Sequence, residues 1–256
     1  MAQPDAADPR RPFLSDPAAA AVLTDFDGTL AGIVDDPSQA VPVPGALQTL
    51  RRLVGVFGVV GVISGRPVSF LVAQLGSIEG IRLAGLYGLE LAVGDRIESH
   101  PQALPWMPAL EAAAADAESS APAGVRVERK GLAVTLHVRT APANAAWIED
   151  FARRQAATRG LRAHPGRLSI ELRPPIGVDK GTVVEEMAGG SRAVCYCGDD
   201  VGDLPAFAAL ARLRAQGIAT LGVAAMSDES PLELANAADV TVDGPPGVVA
   251  FLSTLA

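Results

Sequence analysis

Asp25 and Asp27 stand one residue apart at the end of an apolar run, in the segment Asp25-Phe26-Asp27-Gly28-Thr29-Leu30. Side chains two apart on a strand share a face, so both carboxylates can leave a strand end together. Gly28 permits the sharp turn that would follow. Such a pair suits a hard, oxygen-seeking divalent cation, Mg²⁺ above all; alone, it reads equally as an acidic turn capping the next element. Ser64, with Gly65 and Arg66 behind it, ends a second continuous apolar run. A hydroxyl and backbone N–H groups ahead of a helix make a phosphate seat, or an ordinary helix N-cap. Lys180 stands where a helix should begin, in GVDKG at 177–181. A cation there opposes the helix dipole. That points to a use such as holding a phosphoryl oxygen, the plain alternative being a solvated surface lysine. Finally, Asp199, Asp200 and Asp203 fall within five positions in GDDVGD at 198–203, and repel one another unless a cation or basic group neutralises them; alone this is an acidic loop. As a set, the four signals supply a nucleophile, a proton donor, phosphate clamps and a metal cage.

Such residues act together only if the chain gathers them at one place. Ala20–Phe26, Val59–Ile63, Ala193–Cys197 and Ile218–Ala224 read as continuous apolar strands, with a short one at 240–242. Helical spacing lies between them, at 46–54, after Pro67, at 180–188, after Pro205 and at the end of the chain. This rhythm predicts a parallel sheet buried on both faces, whose ligands bind at the carboxyl ends of the strands. The middle differs. Val125–Val127, Leu132–Arg139 and Leu168–Arg173 alternate apolar and polar residues, as half-buried antiparallel strands do, and 143–159 is helical. The expected organisation is a loose arm at 1–18, an α/β core at 19–100 and 175–256, and an α+β insert at 101–174. Trp106 and Trp147 read as packing residues, and His100 and His164 have no assigned role.

The 256 residues are 49% hydrophobic and 20% charged, enough for a sizeable core, and aromatics are only 4%, so that core is mostly Ala, Val and Leu. The 26 glycines and 20 prolines are about 18% of the chain, below the level of low-complexity sequence. A net charge of −8 argues against nucleic-acid and anionic-membrane partners, although a local site for an anionic small molecule remains open. The longest apolar run, 54–63, is about half of what spans a bilayer. The start of the chain lacks an apolar signal core, so a cytoplasmic protein is expected. Cys195 and Cys197 are too few for structural zinc and read as buried thiols in a reducing compartment. No coiled-coil seam points to assembly, and a monomer is expected.

DFDGT at 25–29, ISGR at 63–66, DKG at 179–181 and GDD at 198–200 together resemble the haloacid dehalogenase superfamily of phosphohydrolases. GLYGLE at 85–90, ERKGLAVTLHVR at 128–139 and ELRPPIGVDKG at 171–181 narrow the resemblance to its trehalose-6-phosphate phosphatases, over about residues 20–250. The resemblance implies a Rossmann-like parallel-sheet core with the insert as its cap, and a phosphatase of trehalose biosynthesis acting on a sugar phosphate. It implies Asp25 as nucleophile and Asp27 as acid and base. Mg²⁺ would be held by Asp25, the Asp27 carbonyl and Asp199, with Asp200 and Asp203 behind them. Ser64, Gly65 and Lys180 would bind phosphate, and Arg66, Glu128, Lys130 and Glu171 the sugar. His137 and Arg139 fall in the same cap motif, where a structural role is as natural. Sibling phosphatases of sucrose 6-phosphate, mannosyl-3-phosphoglycerate or a broad pool share this chemistry, and a non-catalytic sugar-phosphate-binding module is the rival of another class. A mutase fits less well, because 31–44 is too short for a helical cap. Two departures stand out. Tyr87 replaces the usual His, which bears on sugar selectivity. Gly202-Asp203-Leu204 replaces the usual Thr-Asp-Glu, which removes an acid from the metal's surroundings.

Overall fold

A computed structural model describes residues 8–34, 39–166, 168–227 and 230–256. Up to Ser99 the chain runs α1 (Arg11–Ser15), β1 (Ala20–Thr24), α2 (Ala46–Val54), β2 (Val59–Ile63), α3 (Val68–Leu75), β3 (Arg82–Gly85), β4 (Glu90–Val93) and β5 (Arg96–Ser99). An insert supplies α4 (Met107–Ser120), β6 (Arg126–Arg129), β7 (Val134–His137), α5 (Ala145–Arg159), β8 (Arg162–Gly166) and β9 (Ser169–Arg173). The remainder is α6 (Lys180–Met187), β10 (Ala193–Gly198), α7 (Leu204–Ala215), β11 (Ala219–Met226), α8 (Leu232–Ala237), β12 (Val240–Asp243) and α9 (Gly244–Ser253). These elements form two compact units, Met1–Glu98 with Val178–Ala256, and Ser99–Gly177.

The first unit is built on one sheet, in the order β12-β11-β10-β1-β2-β3-β4-β5. The strands from β12 to β3 pair in parallel, and β4 runs antiparallel to β3. The apolar runs explain this. All five residues of β1 and all six of β10 are buried, as strands covered on both faces must be. Alternate residues serve opposite layers. Val22, Val60, Cys195 and Leu221 pack in the cluster that includes residues of α2, α3 and α9. Ala21, Leu23, Val194 and Tyr196 pack with residues of α6 and α7.

The second unit is an antiparallel sheet, β6-β7-β9-β8. Val134, Leu136, Ile170 and Leu172 turn to Leu110 and Ala113 of α4 and to Ile148 and Phe151 of α5. Their neighbours in the alternation, Thr135, His137, Ser169, Glu171 and Arg173, occupy the other face. Trp147 stacks on Phe151, ring centroids 5.0 Å apart, a packing role.

The segment expected as an arm at 1–18 is described from residue 8 onward. Residues 1–7 lie outside the described residues, but 11–15 are helical and Phe13 is fully buried in the core. A single aromatic among Pro, Asp and Arg gave no periodic signal, yet its burial ties the segment down. Phe13→Ala should lower stability by about 3 kcal/mol, read as a fall in the urea midpoint with an unchanged slope.

Candidate active site

Asp25 follows β1 and its N–H donates to the carbonyl of Cys197 on β10 at 2.8 Å. This bond ties the ends of the two central strands, so the Asp25 and Asp199 carboxylates leave the sheet side by side. Lys180 is the first residue of α6. The N-cap of that helix is Asp179, whose side chain accepts from the Thr182 N–H at 2.9 Å, so the lysine is not needed for capping. Its ammonium instead donates to Asp25 Oδ1 at 2.8 Å and to Asp203 Oδ1 at 2.6 Å. Asp203 is fully buried; Oδ1 also accepts from the Tyr196 hydroxyl, and Oδ2 accepts from the N–H groups of Asp199 (3.0 Å) and Asp200 (3.2 Å).

Burial pushes the carboxyls of Asp25 and Asp199 well above the ordinary range, Lys180 pulling the other way and the neighbouring aspartates adding to the rise. Burial is also the largest influence on Asp200, whose carboxyl rises too. For Lys180, burial works against the charge, but Asp203 and Asp25 outweigh it and hold its pKa well above the usual lysine value. One ammonium thus faces four carboxylates, an imbalance that a divalent cation would relieve. One oxygen from each of Asp25, Asp199 and Asp203 lies within 4.8 Å of the others. Asp203 has both its oxygens engaged, which leaves Asp25 and Asp199 as the better donors. All are hard oxygen ligands of the kind Mg²⁺ takes. Gly28 makes the approach possible. Its φ is +73°, and a Cβ there would stand 1.9 Å from Asp199 Oδ2. Thr29 Oγ1 donates to Asp199 Oδ1 at 3.3 Å.

Asp27 is held by an arginine. Arg66 grips its carboxylate with two parallel bonds, Nε to Oδ2 at 2.8 Å and a terminal nitrogen to Oδ1 at 2.7 Å. Ser64 is buried at the end of β2, and its Oγ accepts from the Arg66 N–H at 3.2 Å. Arg66, expected by resemblance as a sugar contact, is thus bound to Asp27 in this structure.

In the second unit, register brings the cap-motif residues onto one row. Glu128 faces Thr135, Thr135 faces Glu171, and Glu171 faces His164. Glu171 Oε2 accepts from Lys130 Nζ and from Thr135 Oγ1, both at 2.8 Å, and Oε1 accepts from Arg173. Burial opposes its charge, but Lys130, Arg173 and these hydrogen bonds win and lower its pKa to about 2. Glu128 Oε2 lies 2.8 Å from His137 Nε2 and 3.9 Å from Lys130 Nζ. Burial and the guanidinium of Arg173 hold the His164 pKa down.

The family model described as trehalose-phosphatase matches residues 23–240. The chain belongs to the trehalose-phosphatase family. It is 37% identical over 250 residues to the trehalose-phosphate phosphatase of Mycobacterium avium, a match over 92% of this chain and 62% of that protein. The chain thus spans about three fifths of the length of such relatives. Its fold matches the C-terminal domain of Candida albicans trehalose-6-phosphate phosphatase, with TM-score 0.78 and 21% identity over 96% of this chain and 94% of that one. A haloacid dehalogenase-like hydrolase of Bacteroides thetaiotaomicron matches with TM-score 0.63 and 16% identity over 93% and 99%. The core is accordingly a haloacid-dehalogenase-like α/β fold. No helix among the described residues is long and apolar enough to cross a membrane.

Leu204 opens α7 and packs against the cluster beneath β10. The sequence reading missed Tyr196, Thr29, Thr135 and Arg173. A lone polar ring between two cysteines was a signal for Tyr196; the others depend on register. Two outcomes are expected. Asp203→Asn removes a charge that faces buried Lys180 and should cost about 3 kcal/mol in denaturant. Glu171, lowered from 4.5 to about 2, contributes stability above pH about 4.5 that is lost as pH falls toward 2. Glu171→Gln should therefore flatten the stability profile across that window, and a profile as steep as wild type would refute the assignment.

Proposed function

We propose that the chain is a Mg²⁺-dependent phosphatase that hydrolyses trehalose 6-phosphate to trehalose and inorganic phosphate through an aspartyl-phosphate on Asp25. The observation that carries the reading is Lys180, buried between Asp25 and Asp203 beside Asp199, in a chain of this family. Asp25 attacks phosphorus in line with the ester oxygen, which leaves with a proton from Asp27. Asp27 then takes a proton from a water molecule. That water attacks phosphorus, the bond to Asp25 breaks, and phosphate departs. The two-pronged grip of Arg66 orients Asp27 and stabilises the carboxylate formed once its proton has gone. Ser64 and Gly65 seat the phosphoryl oxygens, and Lys180 lowers the repulsion between Asp25 and the incoming phosphate. Mg²⁺, held by Asp25, Asp199 and the Asp27 carbonyl, would supply the additional positive charge that phosphoryl transfer needs. Asp200 stands behind it, as a turn residue accepting from Gly202.

In this reading the insert is the cap, and Glu128, Lys130 and Glu171 recognise sugar hydroxyls. A monomer in the cytoplasm fits it, where the free thiols of Cys195 and Cys197 stay reduced.

Phosphate release from trehalose 6-phosphate, sucrose 6-phosphate, glucose 6-phosphate and mannosyl-3-phosphoglycerate tests the proposal. Strong preference for the first is expected, abolished by chelator and by Asp25→Asn with the fold retained. Lys130→Ala should cut trehalose 6-phosphate turnover at least tenfold while sparing a generic aryl phosphate. Preference for another ester overturns the cap reading alone. Wild-type turnover by Asp25→Asn overturns the mechanism, and no release from any ester favours a binding module.

A further inference from the structure

We infer that Tyr87 is a positioning residue for the phosphate clamp: its ring covers the Lys180 ammonium and braces the Ser64–Gly65 turn beside it. The inference deepens the phosphatase reading and rests on it. The observations begin with the backbone. Leu86 and Tyr87 have φ of +49° and +60°, the left-handed region that costs a non-glycine residue about 1 kcal/mol or more. Such strain persists only where the surroundings impose it. Here the Tyr87 N–H donates to the Ser64 carbonyl and the Leu86 N–H to the Arg66 carbonyl, both at 2.9 Å. The strained pair is therefore stitched to the loop that carries the phosphate seat, and the strain aims the Tyr87 ring.

The ring meets three functional segments. Lys180 Nζ lies over its face, 5.8 Å from the centroid. A Cβ on Gly65 would fall 2.6 Å from the hydroxyl and 2.7 and 2.8 Å from two ring carbons, so the ring occupies the space that Gly65 leaves. A Cβ on Gly202, in the acidic turn, would be 3.6 Å from it. An ammonium has three N–H donors, and Asp25 and Asp203 take two of those on Lys180. An aromatic face attracts the cation without consuming a donor as a carboxylate does. The ring thus shields Lys180 from solvent and leaves the third N–H for a phosphoryl oxygen.

The test compares wild type, Tyr87→Phe, Tyr87→Ala, Gly65→Ala and the double variant Gly65→Ala/Tyr87→Ala, each checked by thermal melt. Kinetics use trehalose 6-phosphate and p-nitrophenyl phosphate. Tyr87→Ala should lose about tenfold in kcat/KM on both esters, with Tyr87→Phe within about twofold of wild type. Gly65→Ala should match Tyr87→Ala by displacing the ring, and the double variant should be no worse than either. Calorimetric binding of inorganic phosphate should weaken about tenfold in Tyr87→Ala. A loss confined to the sugar ester, a Phe variant as poor as Ala, or additive losses in the double variant each overturn the role. If wild type binds phosphate but hydrolyses neither ester, the phosphatase reading fails and the calorimetric comparison still decides the positioning role. If wild type does not bind phosphate, both fall.

Discussion

The first unit is organised around one buried cation. Lys180 is only 3% exposed, and an ammonium taken out of water is unfavourable unless opposite charges and hydrogen bonds surround it. Asp203 supplies most of that environment. One of its oxygens holds Lys180 and Tyr196, and the other holds the backbone of Asp199 and Asp200. The group that keeps the lysine charged therefore also shapes the turn from which Asp199 projects. Lys180 in turn fixes Asp25. The start of α6 and the ends of β1 and β10 are joined by a single hydrogen-bonded ion network, and moving one member leaves a buried charge unpaired.

Sheet order makes this network possible. β1 lies between β10 and β2, with Thr24 level with Cys197 on one side and Val62 on the other. Adjacent strands are about 4.8 Å apart, so the residues just beyond the three strand ends emerge as neighbours although they are far apart in the chain. Asp25, Ser64 and Asp199 are such residues. Parallel pairing puts all three at carboxyl ends, where the chain turns back through helices and the backbone N–H groups point outward.

The legibility of the sequence follows the same division between local and distant. β2 reads at its structural bounds because five apolar residues end sharply at Ser64, and α2 reads from its helical spacing. β8, with sequence RAHPG, carries no alternation and contains a proline; it is an edge strand, where such residues are tolerated, and only pairing with β9 reveals it. β3 begins at exposed Arg82 and is four residues long, too short for a pattern. In the site, the four motifs stand out because each is a compact cluster at a strand exit or a helix start. The ties among them do not. The Arg66–Asp27 pair joins residues 39 apart in sequence, and the Thr29–Asp199 bond joins residues 170 apart. Arg66, expected from the resemblance to bind sugar, also closes its fork on Asp27, a tie that its place in the sequence does not show. Asp203 carries the polar ties of its turn, and Leu204 packs beneath it.

Charge also separates the work of the two units. In the first, four carboxylates stand against Lys180, a surplus of negative charge that favours a cation, and the cation in turn favours a phosphate. In the second, the mutually bonded groups Glu128, Lys130, Glu171 and Arg173 carry two charges of each sign and balance. A balanced set offers both donors and acceptors without attracting an ion of either sign, which matches the needs of neutral sugar hydroxyls far better than those of a phosphate. The lowered pKa of Glu171, about 2, keeps its own carboxylate charged at neutral pH. Under the proposed function, the phosphoryl group and the disaccharide are thus sorted by electrostatics before any contact with an individual hydroxyl is considered. Under the same proposal, a substitution that unbalances the second set, such as the loss of Lys130, would act on the choice of substrate rather than on the bond that breaks.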